Sequence, residues 1–520
     1  MSIVSFRFLF FLLIFLFLYY ISPRKAQWGV LLIGSLVFYA FSGWQYLFFI
    51  LSCAFFTWFA ALQIDGNTAA LKSALASTAD KNEKNQLREQ YGQKKHLWIS
   101  AALILTLGVW IVLKYGPMLL DSFTAIFNLP QPAGGLKFIV PLGMSFYTFD
   151  AIGYMIDVSR GKYGAEKNFF KYLTFVSYFP HIIQGPFSRF DTLGKTLFTG
   201  HKLSFEKTST GFERILWGYF KKLLIADKLA IPVSEIFSNY QNYNGFQILF
   251  VMFLYGIQLY ADFSGYIDIV SGISHILGIE LEQNFRQPYF SVSVEEFWRR
   301  WHMTLGHWFR DYLFYPVYRS KRAGKIRKQF PPEISKHLIS FMAMFWVWSA
   351  SGLWHGANWT FLIWGWLNMA VMWLSLVLDP LYRRVREFLH ISLKNKIWNA
   401  FRMLRTFCIV CFLLLFIRAD SIEHAIKMIR QIGYDFNPGL VLTPLKLFPG
   451  LESHIIVVIL ASSIILLFVS ILNETGKWVQ IREQTPFPVK DLVCVLLITA
   501  LILFAGNAED VAKNFIYANF

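Results

Sequence analysis

The stretch Asn284 to Pro316, NFRQPYFSVSVEEFWRRWHMTLGHWFRDYLFYP, sets Phe297-Trp298-Arg299-Arg300-Trp301-His302 and Arg310-Asp311-Tyr312 inside a chain that is otherwise mostly lipid-compatible. Fifty-three residues beyond His302, an apolar segment carries Trp354-His355-Gly356. An imidazole at membrane depth is costly to bury unless it has a partner or lines a watery cavity, so His355 is a candidate for chemistry by default. These two places decide the reading, and the remainder of the sequence supplies their setting.

That setting is a bilayer. Of 520 residues, 55% are hydrophobic and only 16% charged, well short of the quarter-charged composition of ordinary soluble domains. Apolar runs recur, among them Phe8 to Ile21, Trp28 to Ala61, Leu97 to Leu113, Phe138 to Ile156, Ile248 to Ala261, Leu338 to Ala350, Phe361 to Leu378, Phe407 to Ile417, Ile455 to Leu472 and Leu492 to Phe504. At roughly 20 residues per crossing, these and the marginal segments between them predict an all-α polytopic protein of about 11–13 transmembrane or re-entrant helices. The first run is expected to stay as a membrane helix, since Arg7 is its only early cation and no small-x-small cleavage site precedes Ser22-Pro23-Arg24-Lys25.

Charge distribution orients the chain. Arg24 and Lys25 share one short loop, Lys72, Lys81, Lys84, Arg88, Lys94 and Lys95 lie in the next loop but one, and the loops near Gly43 and from Pro117 to Leu136 are nearly cation-free. The positive-inside rule makes the basic loops cytoplasmic and the N-terminus extracytoplasmic, in a multi-pass protein of the cytoplasmic (inner) membrane. The net charge of +17 therefore reflects topology and the membrane surface, not nucleic acid. A second reading of the basic loop from Arg319 to Lys328 is attraction of an anionic cytosolic donor.

The organisation predicted is one integral membrane domain over 1–520, with N-terminal helices to 158, a central region 159–380 and C-terminal helices 381–520. Asp65 to His96 and Ala419 to Ser453 read as loops of about thirty residues, too small for a self-sustaining core. Pro180, Pro186, Pro232, Pro288 and the polar run Phe205 to Arg214 interrupt the central region, as broken helices lining a cavity would. Similarly interrupted pairs of segments in two halves, the mark of many transporters, are not evident. Cys53, Cys408, Cys411 and Cys494 all fall in apolar runs and read as small buried hydrophobes.

Ser293 to Leu305 reads as one helix, with Ser293 and Glu296 spaced as a capping box and Glu295 with Arg299 and Glu296 with Arg300 at i,i+4. Its residues suit an interfacial helix with aromatic anchors; alternatively His302, with Trp298 and Trp301, walls a polar tunnel. His355 has no Asp, Glu, Lys or Arg between Phe341 and Trp364, and both a structural hydrogen-bonded imidazole and a reactive one fit this pattern. Asp262, in Tyr260-Ala261-Asp262-Phe263-Ser264-Gly265-Tyr266, is expected to pair with Arg286, Arg299 or Arg300, to cap a helix or to orient an imidazole. His181 and Gln184 would tie together a Pro-broken segment or line the tunnel. Nucleotide-loop, Rossmann and HExxH motifs are missing, and with no dense Cys/His cluster no metal is indicated.

Five segments taken in order, IVPLGMSFY (139–147), FPHIIQGPFSRF (179–190), YADFSGYID (260–268), the 284–315 stretch and SGLWHGAN (351–358), resemble the membrane-bound O-acyltransferase superfamily, and within it the bacterial alginate O-acetyltransferase type. Peptidoglycan O-acetyltransferases and teichoic acid D-alanyl transferases are related to it. The resemblance implies many helices around a central funnel or tunnel, with His355 matching the catalytic histidine and His302 a second position in the same cavity. It implies no permanently bound cofactor, a cytosolic acyl thioester such as acetyl-CoA as donor, and an extracytoplasmic SGNH-type acyltransferase as partner. The expected activity is acyl transfer, acetyl above all, to hydroxyls of an extracytoplasmic polysaccharide or cell-wall polymer. His355 would act as general base, kept neutral by a segment without carboxylates, with Trp354 and Trp359 limiting water. Trp298, Trp301, Asp311, Trp354, Asn358, Asp262, His181 and Gln184 are candidates for lining or positioning. Continuation past Arg402 to the aromatic tail Phe515-Ile516-Tyr517 favours the alginate type over the shorter D-alanyl type. Gln184-Gly185-Pro186 after His181 departs from the usual Ala-Gly-Pro and bears on acceptor preference. The competing readings are a transporter or flippase of a lipid-linked or polysaccharide substrate, D-alanyl-type transfer to teichoic acid, or a scaffold that only recruits an acyltransferase.

Overall fold

The computed structural model describes residues 2–130 and 140–506; the aromatic tail and part of the first resembling segment lie outside them. Every regular element among the described residues is helical. Among the described residues, seven helices are long and apolar enough to cross a membrane: Trp44–Ser77, Lys81–Ile126, Gly245–Ile276, Trp359–Phe388, Lys396–Arg418, Ser453–Glu474 and Phe487–Phe504. The other expected crossings are shorter or more polar helices, such as Phe6–Ile21, Met144–Ser159 and Pro332–His355. Phe487–Phe504 has no buried residue, so its exposed Leu492, Val495, Leu496 and Ile502 require an apolar solvent, which lipid supplies.

Two expected loops are largely helical. The Leu47–Ser77 helix continues through Asp65, and a second helix, Lys81–Leu103, starts at Asp80, whose side chain accepts from the Glu83 amide at 2.8 Å. That cap satisfies a donor every helix N-terminus leaves open, so a polar sequence suffices to start the helix. In the second expected loop the Ile422–Tyr434 helix, capped by Ser421, buries Ala425 and Met428. Pro232 does not interrupt its segment: it sits inside the Asp227–Ser238 helix, which follows directly on a π-helical turn at Phe220–Ala226.

The chain forms two compact units, one of the residues up to Gly211 with Val270–Glu282, the other of Phe212–Ile269 with the described residues from Gln283 onward. In the first, Phe15 and Phe179 meet edge to face at 5.1 Å, and the Thr57 and Tyr172 hydroxyls bond at 2.8 Å. Its Pro-broken segment is stitched by His181. The His181 Nε2–H donates to the Phe175 carbonyl at 3.2 Å, and Nδ1 lies 3.3 Å from the Ser188 hydroxyl, with Asp150 at 3.7 Å.

The second unit contains a cluster of buried lysine–carboxylate pairs. Lys222 Nζ reaches Asp262 at 2.5 Å and Asp227 at 2.7 Å, while neighbouring Lys221 reaches Asp268 at 2.6 Å and the Ser264 hydroxyl at 2.9 Å. The partner of Asp262 is thus Lys222 and not one of the arginines considered above. The wider π-turn carries the two adjacent lysines, and each finds its own carboxylate on the Gly245–Ile276 helix. Removing one member of a buried ion pair strands the other charge, typically at a cost of about 3–5 kcal/mol. Lys222→Met should therefore lower the thermal unfolding midpoint in detergent sharply, whereas exposed Lys427→Met, at the partner of Glu423, should leave it nearly unchanged.

Candidate active site

The expected single helix from Ser293 to Leu305 is two helices. Val294–Arg300 is capped as anticipated, with the Glu296 amide donating to Ser293 Oγ at 3.1 Å, and both i,i+4 pairs form, Glu295 with Arg299 at 3.0 Å and Glu296 with Arg300 at 2.7 Å. The chain then leaves helical geometry at Trp301 (φ −105°, ψ 128°), and His302 adopts the left-handed conformation (φ 47°, ψ 51°) at the start of Met303–Phe309. A non-glycine residue in that region costs on the order of 1–3 kcal/mol and persists only where its surroundings fix it.

Asn284 does much of the fixing. Its carbonyl accepts from the Met303 amide at 3.0 Å, and its side-chain Oδ1 accepts from the Thr304 amide at 3.2 Å and the Thr304 hydroxyl at 2.9 Å. The same oxygen lies 3.2 Å from His302 Nδ1. The Arg286 amide donates to the Arg300 carbonyl at 3.0 Å, so residues 284–286 run beside the break and satisfy backbone groups that an unbroken helix would have satisfied internally.

His355 is the last residue of the Pro332–His355 helix, and Trp359–Phe388 packs back against that helix. The approach is close because Gly352 has no side chain: a Cβ there would stand 2.5 Å from the Phe361 carbonyl oxygen and 3.1 Å from Leu362 Cα. Small residues at helix contacts are what permit such approach in membranes. Trp364 thereby meets the His355 ring edge to face at 5.0 Å. Trp354 bridges the two imidazoles, with ring centroids 4.9 Å from His355 and 5.8 Å from His302. Phe263 holds the other side of His302 at 4.8 Å, nearly perpendicular.

Both histidines are buried, and both line one cavity of about 780 Å³, within the usual size range of small-molecule sites. Its inner wall is Trp298, Trp301, Met344, Val347, Trp348 and Met372, with Ser340 and Ser351 as further polar groups. Trp298 is held by its indole N–H, which donates to Asn368 Oδ1 at 3.0 Å, while Asn368 Nδ2 donates to the Trp364 carbonyl at 2.9 Å. Four arginines, 286, 299, 300 and 310, and two glutamates, 295 and 296, also line it, so the charged part of the wall is net positive. Arg286, Arg299 and Arg310 are exposed and mark where the cavity meets the surface.

Of the residues singled out from sequence, Trp298, Trp301, His302 and His355 meet in this cavity, and Trp354 stands between the two histidines. Asp311 pairs with Arg310 at 3.0 Å. Asn358 caps the following helix through the Thr360 amide at 3.1 Å, and its Nδ2 donates to the Asp420 carbonyl at 3.1 Å. Asp262 is engaged with Lys222 as described, and His181 and Gln184 belong to the first unit. Gln184 is fully buried there, with no hydrogen-bond partner for its amide among the described residues. Sequence reasoning missed Asn284, Asn368, Trp348 and Trp364, since single polar or aromatic residues far along the chain carry no periodic signal. Only the position of Asn284 at the head of the 284–316 stretch hinted at it.

Residues 159–417, which include both histidines, match the profile of the membrane-bound O-acyltransferase family. The chain is 33% identical over 421 residues to the probable alginate O-acetylase of Pseudomonas syringae pv. tomato, covering 80% of this chain and 72% of that relative. The chain belongs to the membrane-bound O-acyltransferase family. It is also 36% identical over 357 residues to the probable alginate O-acetylase of Azotobacter vinelandii, spanning 68% of this chain and 64% of that relative, and 28% identical over 427 residues to the Helicobacter pylori peptidoglycan O-acetyltransferase, at 77% and 72% coverage. As a member of the membrane-bound O-acyltransferase family it is a multi-pass membrane enzyme of acyl transfer. If the Gly352 contact sets the place of His355, Gly352→Val should push the two helices apart, an overpacking cost of about 1–3 kcal/mol, and reduce acyl transfer along with the unfolding midpoint in detergent. An unchanged midpoint and rate would dissociate the contact from the site.

Proposed function

We propose that this enzyme takes an acetyl group from cytosolic acetyl-CoA and passes it across the membrane to hydroxyls of an extracytoplasmic polysaccharide or cell-wall polymer, through an SGNH-type partner protein. The observation that carries the reading is the convergence of His302 and His355 on one cavity whose charged part is net positive. A polyphosphorylated thioester needs such a mouth, and a focused cationic field raises its local concentration. Arg319 extends the basic surface, its guanidinium lying 5.0 Å over the ring of Tyr315, itself a lining residue. The positive-inside rule puts this face and the basic Lys321–Gln329 helix on the cytosolic side and the N-terminus opposite.

In this reading His355 is the general base. It takes the proton of the acceptor hydroxyl as that oxygen attacks the thioester carbonyl; the tetrahedral adduct then expels the thiolate, which recovers the proton from the imidazolium. One C–O bond forms, one C–S bond breaks, and the base returns to its starting state. Trp354 and Trp364 hold the imidazole edge-on and keep water from competing for the acyl group. The same chemistry serves transfer to a partner's hydroxyl that relays the group to polymer. The homology to alginate and peptidoglycan O-acetylating enzymes supports acetyl as the group moved.

His355→Ala, in protein that still inserts and elutes as a single species, should lower release of free CoA thiol and acceptor acetylation by about 10²- to 10⁴-fold, the usual worth of general-base assistance; near wild-type transfer would remove His355 from that role. His302→Ala should cost less. Independently, the double change Arg299→Ala with Arg310→Ala should raise the KM for acetyl-CoA by about tenfold and flatten its salt dependence while sparing kcat. An unchanged KM would place donor binding elsewhere.

A further inference from the structure

The Lys321–Gln329 helix carries more positive charge than its surroundings neutralise. Arg319, Lys321, Arg322, Lys325, Arg327 and Lys328 are all exposed, and the chain has no carboxylate between Asp311 and Glu333. None of these cations enters an ion pair among the described residues. Within the helix they repel one another: Lys321 and Lys325 stand at i,i+4 and Lys325 and Lys328 at i,i+3, where like charges destabilise. The first turn holds Lys321 and Arg322 with no acid, against the helix dipole. Such a helix is stabilised when an anion from outside settles against it.

Its faces are unequal. The helical repeat puts Lys321, Lys325 and Lys328 on one stripe, with Arg322 beside it. The opposite side turns toward the protein. Ala323 is buried there, and Arg327 reaches back, with its guanidinium 5.1 Å over the Tyr318 ring and Nη2 donating to the Tyr318 carbonyl at 2.8 Å. None of the four outward cations lines the cavity of the two histidines. Directly beyond the helix comes exposed Phe330, and then Ile334, Leu338 and Phe341, also exposed, follow at i,i+4,i+7 on one face of the Pro332–His355 helix. An apolar stripe of that kind faces lipid tails, so the hydrocarbon begins within a few residues of Lys328 and the cations stand at the depth of headgroups.

We propose that the Lys321–Gln329 helix is a docking surface for anionic phospholipids, whose phosphate headgroups bind Lys321, Arg322, Lys325 and Lys328. Charge complementarity and the adjoining lipid-facing stripe together select this occupant, since a soluble anion would need only the charge. The docked helix leads from Tyr315, which lines the cavity, to the helix that ends at His355. The lipid surface and the exposed rim of the cavity thus share one stretch of chain.

Native mass spectrometry reads the preference directly, using full-length protein released from micelles that contain equal amounts of phosphatidylglycerol and phosphatidylethanolamine with the same acyl chains. Wild type should retain phosphatidylglycerol over phosphatidylethanolamine by about fivefold or more, as clustered cations at a membrane surface do. Lys321→Gln, Arg322→Gln, Lys325→Gln and Lys328→Gln together should lower that preference by about threefold or more. A control that removes as many exposed charges elsewhere, Lys72→Gln, Lys81→Gln, Arg88→Gln and Lys94→Gln, should keep most of it. Equal retention of the two lipids by wild type, an unchanged preference in the helix variant, or a control loss as large would overturn the proposal. Acetyl-CoA added in excess should leave the phosphatidylglycerol in place; its displacement would assign these cations to the donor and overturn the proposal as well. Lys325→Gln with Lys328→Gln, which leaves the first turn intact, decides the matter if the fourfold variant does not fold. Each readout is of binding and stands apart from the acyl-transfer reading.

Discussion

Both imidazoles of the cavity sit where a helix is interrupted, and that placement is the constraint from which the rest of the site follows. His302 begins a helix and His355 ends one. Inside a helix, every backbone polar group is taken and side chains point along directions fixed by the helical repeat. At an interruption, backbone groups become free to bond side chains, and a residue can take a direction the helix forbids. In lipid, such interruptions survive only where protein replaces the lost bonds. Asn284 supplies them at His302, and the Asn358 cap restarts the chain three residues after His355.

The aromatic frame is a consequence of that arrangement. Trp298, Trp348 and Trp364 pack edge to face within 5.1–5.8 Å of one another, a geometry that aromatic quadrupoles favour. They are tied to polar anchors by way of Asn368, so the wall is stiff without being charged. A stiff, apolar wall around the two imidazoles suits acyl transfer, in which water must be kept from competing with the acceptor. The charges stay apart from this frame. Lys221 and Lys222 are each matched by carboxylates on the Gly245–Ile276 helix, and of the cavity's arginines Arg286, Arg299 and Arg310 are exposed while Arg300 is paired with Glu296 and Glu474.

Much of this was legible in the residues. The ordered segments and the helix start at Ser293 with its two i,i+4 pairs read correctly because each is a local signal. The interruption at Trp301–His302 was not legible. Nothing from Ser293 to Leu305 is glycine or proline, and helix periodicity runs through the break; it exists because Asn284, eighteen residues upstream, offers better bonds. The partner of Asp262 was missed for a similar reason: three arginines were nearer in the chain, but the geometry of a π-turn brought Lys222 instead. The charges of Asp65 to His96 suggest a solvated loop, yet a cap at Asp80 and long flanking apolar helices are enough to keep it largely helical.

The central claim is that acyl donor and acceptor meet between His302 and His355. A cryo-EM structure of the protein with a thioether analogue of acetyl-CoA, which binds but cannot be cleaved, tests it most directly. The account predicts the analogue's phosphates against the arginines of the cavity mouth and its acyl carbon within about 4 Å of the space shared by the two imidazoles, close to the distance of reacting atoms poised to combine. An analogue bound with its acyl end outside this cavity, or on the far side of Trp354 from His355, would contradict it.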